Sequence, residues 1–285
     1  MKNISNKTYD QERSLYHLED AYVDHCTFKG SADGESPLKE SCSCVVYKCE
    51  FDLRYPLWHA KDFRLISATF NDHSRAPLWY CSNGVINFTR FYGPKAVREC
   101  EHLIFDNDTI YSNEFGWRNK DLKISNTSIT SEYALFESQD LEIEHILLKG
   151  KYSFQYVKNV KVNNSELHTK DAFWHSENVT VTDSVIDGEY LGWFSKGLTL
   201  INCKIIGRQP LCYCEGLKLV DCEMINAELA FEYSDVNATI KGKIESIKNP
   251  KSGMIKVDKV GEIITTESIM DCKCQIVNAN GKELK

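Results

Sequence analysis

The sequence predicts an all-β fold, a single-stranded parallel β-helix with about 19 residues per turn. Two observations carry this prediction: one pattern returns every 19 residues along most of the chain, and apolar and polar residues alternate within each copy. Alternation with a period of two is typical of a β-strand that has one buried face. Nineteen residues are too few for a helix-turn-helix repeat, so a coil of short strands and turns fits this length.

Each copy contains an apolar anchor, a second apolar residue two positions later, a small residue five positions later and another apolar residue seven positions later. The anchors at steps of 19 residues are Leu103, Leu122, Leu141, Val160, Val179, Leu198 and Leu217. Toward the N-terminus they continue as Gly84, Phe63, Cys44 and Ala21, with two extra residues after Phe63 and four after Ala21. Toward the C-terminus Val236, Ile255 and Cys274 keep the spacing but lose the pattern, as expected for turns that cap a stack.

No linker or change in composition interrupts the repeat, so we expect one domain over residues 1–285. Its clear turns should cover about residues 14–230, and degraded capping turns about 231–285. The small residues after the anchor, among them Cys26, Cys49, Thr127 and Ser165, predict a tight inner corner. Stacked hydroxyls and thiols can form hydrogen bonds along such a column.

The composition excludes several classes of function. The net charge of −7 argues against a nucleic-acid or anionic-membrane partner. No apolar run is long enough for a transmembrane helix, and Met1 to Lys7 lack the apolar centre of a signal peptide, which favours a cytoplasmic location. The twelve cysteines are then expected to be reduced core residues. They lack zinc-site spacing, and no motif indicates a metal or a cofactor.

Two adjacent positions before each anchor also form columns when the turns are stacked. The first, here named the Trp column, contains all five tryptophans and consists of Tyr16, Lys39, Trp58, Trp79, Arg98, Trp117, Phe136, Gln155, Trp174, Trp193 and Cys212. The second, here named the corner column, consists of His17, Glu40, His59, Tyr80, Glu99, Arg118, Glu137, Tyr156, His175, Phe194 and Tyr213. Charged residues recur in both, so we expect a bend at which at least one column faces solvent.

Two interpretations of these columns remain open. In the first they form a groove for an extended ligand, in which aromatic faces stack on sugar rings and charged groups bind hydroxyls or carboxylates. The candidate ligand-binding residues are Lys39, Trp58, His59, Arg75, Trp79, Tyr80, Lys95, Arg98, Trp117, Tyr156 and Trp174. In the second the columns are a structural ladder, with Lys39 and Arg98 in cation–π contact with neighbouring tryptophans.

Catalysis is left open by the sequence. The candidate catalytic residues are Glu99, Arg118, Glu137 and His175. Glu99 and Glu137 lie two turns apart, roughly 9.6 Å, which is at the outer limit for an inverting glycosidase. Arg118 lies between them and favours their ionised forms, which disfavours a general acid. A lyase-like reaction with Arg118 or His175 as base remains an alternative, although no catalytic motif supports it.

Several N-terminal segments resemble a known family. They are Gly34 to Ser41, Tyr55 to Trp58, Arg75 to Tyr80 and Gly93 to Arg98. They resemble a bacterial family without an established activity that has a right-handed β-helix fold similar to the pectin-lyase-like superfamily. The resemblance implies the right-handed form of the fold and transfers no catalytic residue. Pectin-lyase-like folds often act on polysaccharides, but the chain lacks the acidic calcium-binding cluster of a pectate lyase.

The same segments place Lys39, Arg75, Lys95 and Arg98 on consecutive turns beside tryptophans. Such a basic and aromatic cluster suits an anionic sugar or another carboxylated or phosphorylated ligand, unless Glu35, Glu40 and Glu99 neutralise it. The sequence therefore predicts a β-helix that binds or modifies carbohydrate, with acidic saccharides as the preferred class. The alternative is a non-catalytic scaffold that binds a protein partner or self-associates through the same face.

Overall fold

The computed structural model describes residues 1–30 and 34–284 and contains β-strands but no helix within them. It follows that no helix in this part of the chain could cross a membrane. The strands pair in parallel from one turn to the next, so the predicted parallel β-helix is confirmed. The chain forms two compact units, Met1–Glu142 and Ile143–Lys285, here named the N-terminal and C-terminal units. A single domain over residues 1–285 stays a prediction.

The N-terminal unit is built from short strands. They are β1 (Lys2–Ser5), β2 (Thr8–Tyr9), β3 (Ala21–Asp24), β4 (Thr27–Phe28), β5 (Val45–Tyr47), β6 (Glu50–Phe51), β7 (Leu57–Trp58), β8 (Lys61–Ile66), β9 (Thr69–Phe70), β10 (Leu78–Trp79), β11 (Ser82–Asn87), β12 (Arg90–Phe91), β13 (Glu101–Asp106), β14 (Thr109–Tyr111), β15 (Lys120–Ser125) and β16 (Ser128–Tyr133). Strand β17 (Gln139–Glu144) covers the sequence boundary of the two units.

The C-terminal unit begins with similar strands and ends with two long ones. They are β18 (Leu147–Lys151), β19 (Lys158–Asn163), β20 (Glu166–Lys170), β21 (Glu177–Thr182), β22 (Val185–Asp187), β23 (Lys196–Ile201), β24 (Lys204–Ile206), β25 (Leu217–Ile225), β26 (Asp235–Lys248), β27 (Ser252–Ile264) and β28 (Gln275–Val277).

The predicted anchors pair directly in the N-terminal unit. Gly84 lies opposite Phe63 on one side and Leu103 on the other, and Leu103 lies opposite Leu122. The two extra residues after Phe63 therefore leave the strand register intact. One further turn precedes the first anchor, because β1 pairs with β3 and places Lys2 opposite Ala21. The apolar pattern did not reveal this turn, since Ile4 is the one buried residue of β1.

The last turns of the C-terminal unit depart from the 19-residue spacing. Val236 pairs with Leu217 as the spacing predicts. Ile255, however, pairs with Ala238 and Ile276, so the alignment of Ile255 with Val236 and of Cys274 with Ile255 is wrong. The physical reason is a shorter connection between the long strands β26 and β27, together with a register shift between Ile240 and Lys243.

The corner column bends the chain because its residues adopt the left-handed backbone conformation. The φ angle is 59° at His59, 51° at Glu99 and 56° at Arg118. This conformation costs a residue other than glycine about 1–2 kcal/mol, so the stacked turns must impose it. The residue before each anchor is left-handed too, as at Asp62 and Asn83. This requirement explains the polar residue or glycine at that position, since Asn, Asp and Gly tolerate positive φ best.

The interior contains stacked aromatic and polar columns. Phe51 stacks between Phe28 and Phe70 with ring centroids 4.7 Å apart on each side. In the small-residue column, the Thr89 N–H donates to Asp108 Oδ1 at 2.6 Å and the Asp108 N–H donates to Thr127 Oγ1 at 3.2 Å. The predicted hydrogen bonding along this column is confirmed. Burial raises the pKa of the Asp108 carboxyl to about 7.

Candidate ligand groove

The corner column is the exposed row of the N-terminal unit. His59, Tyr80 and Arg118 are exposed, and Glu99 is half-buried. The neighbouring Trp column is half-buried throughout its tryptophans in this unit. The expectation that at least one of the two columns faces solvent is confirmed, and the structure identifies the corner column as the outer row. Left-handed φ at each corner residue turns its side chain away from the interior.

A groove runs beside this row in the N-terminal unit and is here named the corner groove. Its larger section has a volume of about 550 Å³ and is lined by His59, Lys61, Tyr80, Cys81, Ser82, Glu99, Cys100, Glu101, Arg118 and Lys120. An adjoining section of about 400 Å³ shares His59 and Lys61 and is completed by His17, Glu40, Ser41 and Cys42. The wall opposite the corner column begins β8, β11, β13 and β15, whose first residues lie in one register.

The floor of the corner groove is a hydrogen-bonded ladder that the sequence did not reveal. The Cys81 N–H donates to Cys100 Sγ at 3.4 Å, and the Cys100 N–H donates to Asn119 Oδ1 at 2.7 Å. The Asn119 N–H in turn donates to Ser138 Oγ at 2.9 Å. Side chains of one turn thus satisfy the buried backbone of the preceding turn, which fixes the corner above them.

The charged groups of the corner column are paired along the column. Glu99 accepts a hydrogen bond from the Tyr80 hydroxyl, which raises the pKa of Tyr80. Arg118 Nε donates to Glu137 Oε2 at 2.6 Å, and this bond raises the pKa of Arg118. Arg118 therefore stays protonated, which argues against its predicted role as a base and leaves it suited to binding an anion.

Two lysines on the opposite wall have no such partner. Lys61 and Lys120 are exposed, and no carboxylate oxygen in residues 1–30 and 34–284 lies within 4.0 Å of either ammonium group. They flank Ser82 and Glu101 in the same register column. These lysines were not among the predicted site residues, because each stands alone at the start of a strand with no motif around it.

Aromatic rings are stacked in both columns of this region. His59 and Tyr80 lie 5.1 Å apart with an interplanar angle of 14°, and Trp58 and Trp79 lie 5.6 Å apart at the same angle. The Lys39 ammonium lies 4.3 Å from the Trp58 ring centroid. The indole N–H groups of Trp58 and Trp79 are buried without an acceptor in the described residues, and so is Nε of Arg98.

The predicted basic cluster is largely neutralised. Lys95 Nζ and Arg98 Nη1 lie 3.4 and 3.6 Å from Glu114 Oε2, and Lys39 Nζ lies 3.7 Å from Glu40 Oε1. Glu114 thus supplies a counter-charge that the sequence analysis did not identify. Arg98 also lies over the Trp117 ring at 5.2 Å, so the predicted cation–π contacts of Lys39 and Arg98 are confirmed.

Arg75 lies in a different cleft of the N-terminal unit. This cleft of about 440 Å³ is lined by Lys29, Gly30, Gly34, Asp52, Leu53, Arg54, His73 and Arg75. His73 Nδ1 lies 3.0 Å from Asp52 Oδ1, and one atom each of Asp52, Asp72 and His73 could approach a common cation. Three basic side chains line the same cleft, and their charge opposes binding of a cation.

The C-terminal unit contains the remaining predicted residues. His175 stacks between Tyr156 and Phe194 at centroid distances of 4.9 and 5.0 Å. Trp174 and Trp193 lie 5.4 Å apart, and their indole N–H groups donate to the carbonyl oxygens of Tyr190 and Gln209 at 2.6 and 2.7 Å. In this unit the ladder is hydrogen-bonded within itself, and His175 is not grouped with a carboxylate in a way that indicates catalysis.

With this geometry the chain can be compared with known proteins. The model of one family, DUF3737, described as a protein of unknown function, matches residues 2–277. The chain belongs to this family. The expected kinship with a family that lacks an established activity is confirmed. No curated protein matches the sequence.

Solved structures share the architecture at low identity. The mannuronan C-5 epimerase AlgE6 A-module of Azotobacter vinelandii has 9% identity and a TM-score of 0.43, over 96% of this chain and 88% of that one. PfbA, a surface adhesin of Streptococcus pneumoniae, has 11% identity and a TM-score of 0.41, over 85% and 77% of the two chains. An exopolygalacturonase of Thermotoga maritima has 11% identity and a TM-score of 0.30, over 98% and 85%. Likeness at this level transfers no function.

Proposed function

We propose that the corner groove binds an extended anionic saccharide. The observation that carries this proposal is the exposed, nearly coplanar pair of His59 and Tyr80, 5.1 Å apart, opposite lysines without a carboxylate partner. Aromatic faces bury the apolar face of a sugar ring, and a stacked pair on successive turns offers a continuous platform to a chain of rings. Exposed aromatic groups of this kind are typical of binding surfaces.

The charges of the groove suit a ligand with separated anionic groups. Lys61 and Lys120 lie three turns apart in one register column, about 14 Å at the usual strand spacing. Glu99 and Glu101 lie between them and accept hydrogen bonds from sugar hydroxyls. A saccharide whose carboxylates reach the two lysines, with hydroxyls over the central turns, matches this order of charges.

The groove supports binding better than catalysis. Arg118 is held protonated by Glu137, and Glu99 already accepts a hydrogen bond from Tyr80. Neither carboxylate stands in the apolar surroundings that would keep a general acid protonated at neutral pH. We therefore include no bond-breaking step in the proposal.

A second candidate function is a non-catalytic scaffold with this face as a structural ladder or protein contact. The observation that favours it is the pairing within the corner column, in which Glu40 binds Tyr16 and His17 while Arg118 binds Glu137. A face with all of these groups satisfied needs no small ligand. Light scattering of the purified chain, compared with that of Tyr80→Ala, separates self-association from ligand binding.

Calorimetric titration with acidic oligosaccharides, such as oligogalacturonates and oligomannuronates, tests the proposal against neutral oligosaccharides of equal length. Tyr80→Ala should weaken binding by about tenfold, since a stacking contact contributes roughly 1 kcal/mol. Phe194→Ala is the matched control, because it removes an exposed stacked ring from the same column of the C-terminal unit. Absence of binding across the panel, or equal losses in the two variants, would reject a saccharide groove around Tyr80.

A further inference from the structure

Six of the twelve cysteines form three stacked pairs on successive turns. The pairs are Cys26 with Cys49 and Cys81 with Cys100 in the N-terminal unit, and Cys203 with Cys222 in the C-terminal unit. In each pair the two thiol groups share a hydrogen bond, and all six side chains are buried. The cysteines were expected to be small core residues, but this expectation does not account for their pairing.

The strand register fixes the geometry of each pair. Cys203 and Cys222 lie between two directly opposed positions, Ile201 with Val220 and Lys204 with Glu223. Opposed residues of adjacent parallel strands have Cα atoms about 4.8 Å apart. This separation lies inside the range of about 4.4–6.8 Å found for disulfides.

The other two pairs are held in the same way. Cys26 and Cys49 lie between the opposed positions Asp24 with Tyr47 and Thr27 with Glu50. Cys81 and Cys100 are followed at once by the opposed Ser82 and Glu101. No change in strand pairing is therefore needed to bring any of the three pairs of sulfurs within bonding reach.

We propose that these three pairs are sites of reversible inter-turn disulfides, formed by exchange with a small-molecule disulfide. One cysteine thiolate attacks a sulfur of the small disulfide, forms a mixed disulfide and releases one small thiolate. The partner cysteine then attacks the protein sulfur of the mixed disulfide and releases the second small thiolate. The protein pair loses two electrons and two protons, and the small disulfide is reduced to two thiols.

The pairs should differ in rate. In the pair of Cys203 and Cys222, the hydrogen bond from Cys203 lowers the pKa of Cys222, so Cys222 is the attacking group and Cys203 the resolving one. Burial raises the pKa of Cys49 to about 12, and the pKa of Cys100 is raised as well. Each exchange also requires the turn to open, because the thiols are buried. We expect the pair in the C-terminal unit to react first.

The full chain is incubated in buffers of reduced and oxidised glutathione, and peptides are mapped by mass spectrometry without reduction. The proposal expects crosslinks joining Cys26 to Cys49, Cys81 to Cys100 and Cys203 to Cys222, with the last appearing soonest. Cys222→Ser should leave a glutathione adduct on Cys203. Cys214→Ser is the matched control, because Cys214 is a buried thiol stacked on Ser195 instead of another cysteine, and it should leave all three crosslinks intact.

A second measurement removes burial as an obstacle. The chain is unfolded in denaturant and refolded in the same oxidised glutathione buffer, so that exchange precedes closure of the turns. Refolded protein that carries separate adducts or free thiols at these six positions would overturn the proposal, and so would crosslinks that join other cysteines.

Discussion

The Trp58–Trp79 pair in the N-terminal unit and the Trp174–Trp193 pair in the C-terminal unit have nearly the same stacking geometry. Their ring centroids lie 5.6 and 5.4 Å apart, with interplanar angles of 14° and 4°. They differ in hydrogen bonding, because the indole groups of the second pair donate to backbone carbonyls while those of the first have no acceptor in the described residues.

This difference separates a stack that is complete in itself from one that is not. A buried donor without a partner costs about 1–3 kcal/mol, so Trp58 and Trp79 retain an unfavourable term that Trp174 and Trp193 avoid. The incomplete stack lies beside His59 and Tyr80, which line the corner groove. Local rules broken in this way are most often found at functional sites, which supports the choice of the N-terminal unit as the binding region.

The largest expected difference between the units concerns pH. Asp108 occupies the small-residue column of the N-terminal unit, where the C-terminal unit has Ser165 and Ser184. The pKa of Asp108 is raised from 3.8 to about 7, so the folded state retains a proton that the unfolded chain has lost. The contribution of this carboxyl is favourable at low pH and is lost as pH rises through about 7. The total change approaches ~4 kcal/mol for about three pKa units.

Asp108→Ser should remove this pH dependence from the N-terminal unit, since a hydroxyl accepts the same backbone hydrogen bonds as its neighbours in the column. Hydrogen exchange of amides in β11 to β15, measured from pH 4 to 8, gives the local opening free energy in both proteins. If the difference between variant and parent does not change with pH, the Asp108 carboxyl does not hold its proton in the folded state.

A smaller difference should separate the tryptophan pairs. Trp193→Phe removes the hydrogen bond to the Gln209 carbonyl, whereas Trp79→Phe removes an indole N–H that has no acceptor in the described residues. The two substitutions delete the same atoms from the same column. We expect Trp193→Phe to lower the free energy of unfolding by about 1–2 kcal/mol more than Trp79→Phe, as measured by denaturant titration. Equal effects would mean that the Trp79 indole is as well satisfied as that of Trp193.

The smallest effect is expected at the cation beside Trp58. Lys39→Met keeps the apolar stem but removes the ammonium group 4.3 Å from the ring centroid, which should cost about 0.5–1 kcal/mol. Lys196→Met, in an exposed ion pair with Glu215, is the comparison from the C-terminal unit and should cost less than about 0.5 kcal/mol. Denaturation at low and high salt distinguishes the two. The order of the two effects would reverse if Lys39 were held mainly by Glu40.

Much of the fold was predictable because each anchor is apolar and the strand period is two. Leu103, Leu122, Val160 and Val179 needed no tertiary information to be aligned. The first and last turns were harder. Lys2 occupies an anchor position without an apolar side chain, and the 17-residue step from Ala238 to Ile255 could not be inferred from a constant spacing.

The site was predictable in outline. The polarity of the corner column correctly indicated a bend, but Lys39 and Arg98 made the Trp column look equally exposed. Their side chains are 16% exposed because they lie along tryptophan rings, and polarity does not distinguish this arrangement from full solvation. Lys61, Lys120 and Glu114 escaped notice because their roles follow from the register of neighbouring turns.

The two extra residues between Phe63 and Gly84 have an evolutionary consequence. The strands on both sides remain in register, and the added length lies within the connection that carries Asp72 and His73. A connection of this kind can gain or lose residues without disturbing the hydrogen bonds of adjacent strands. New surface chemistry can therefore be acquired by lengthening a single turn, and relatives of this chain should differ most in length at such connections.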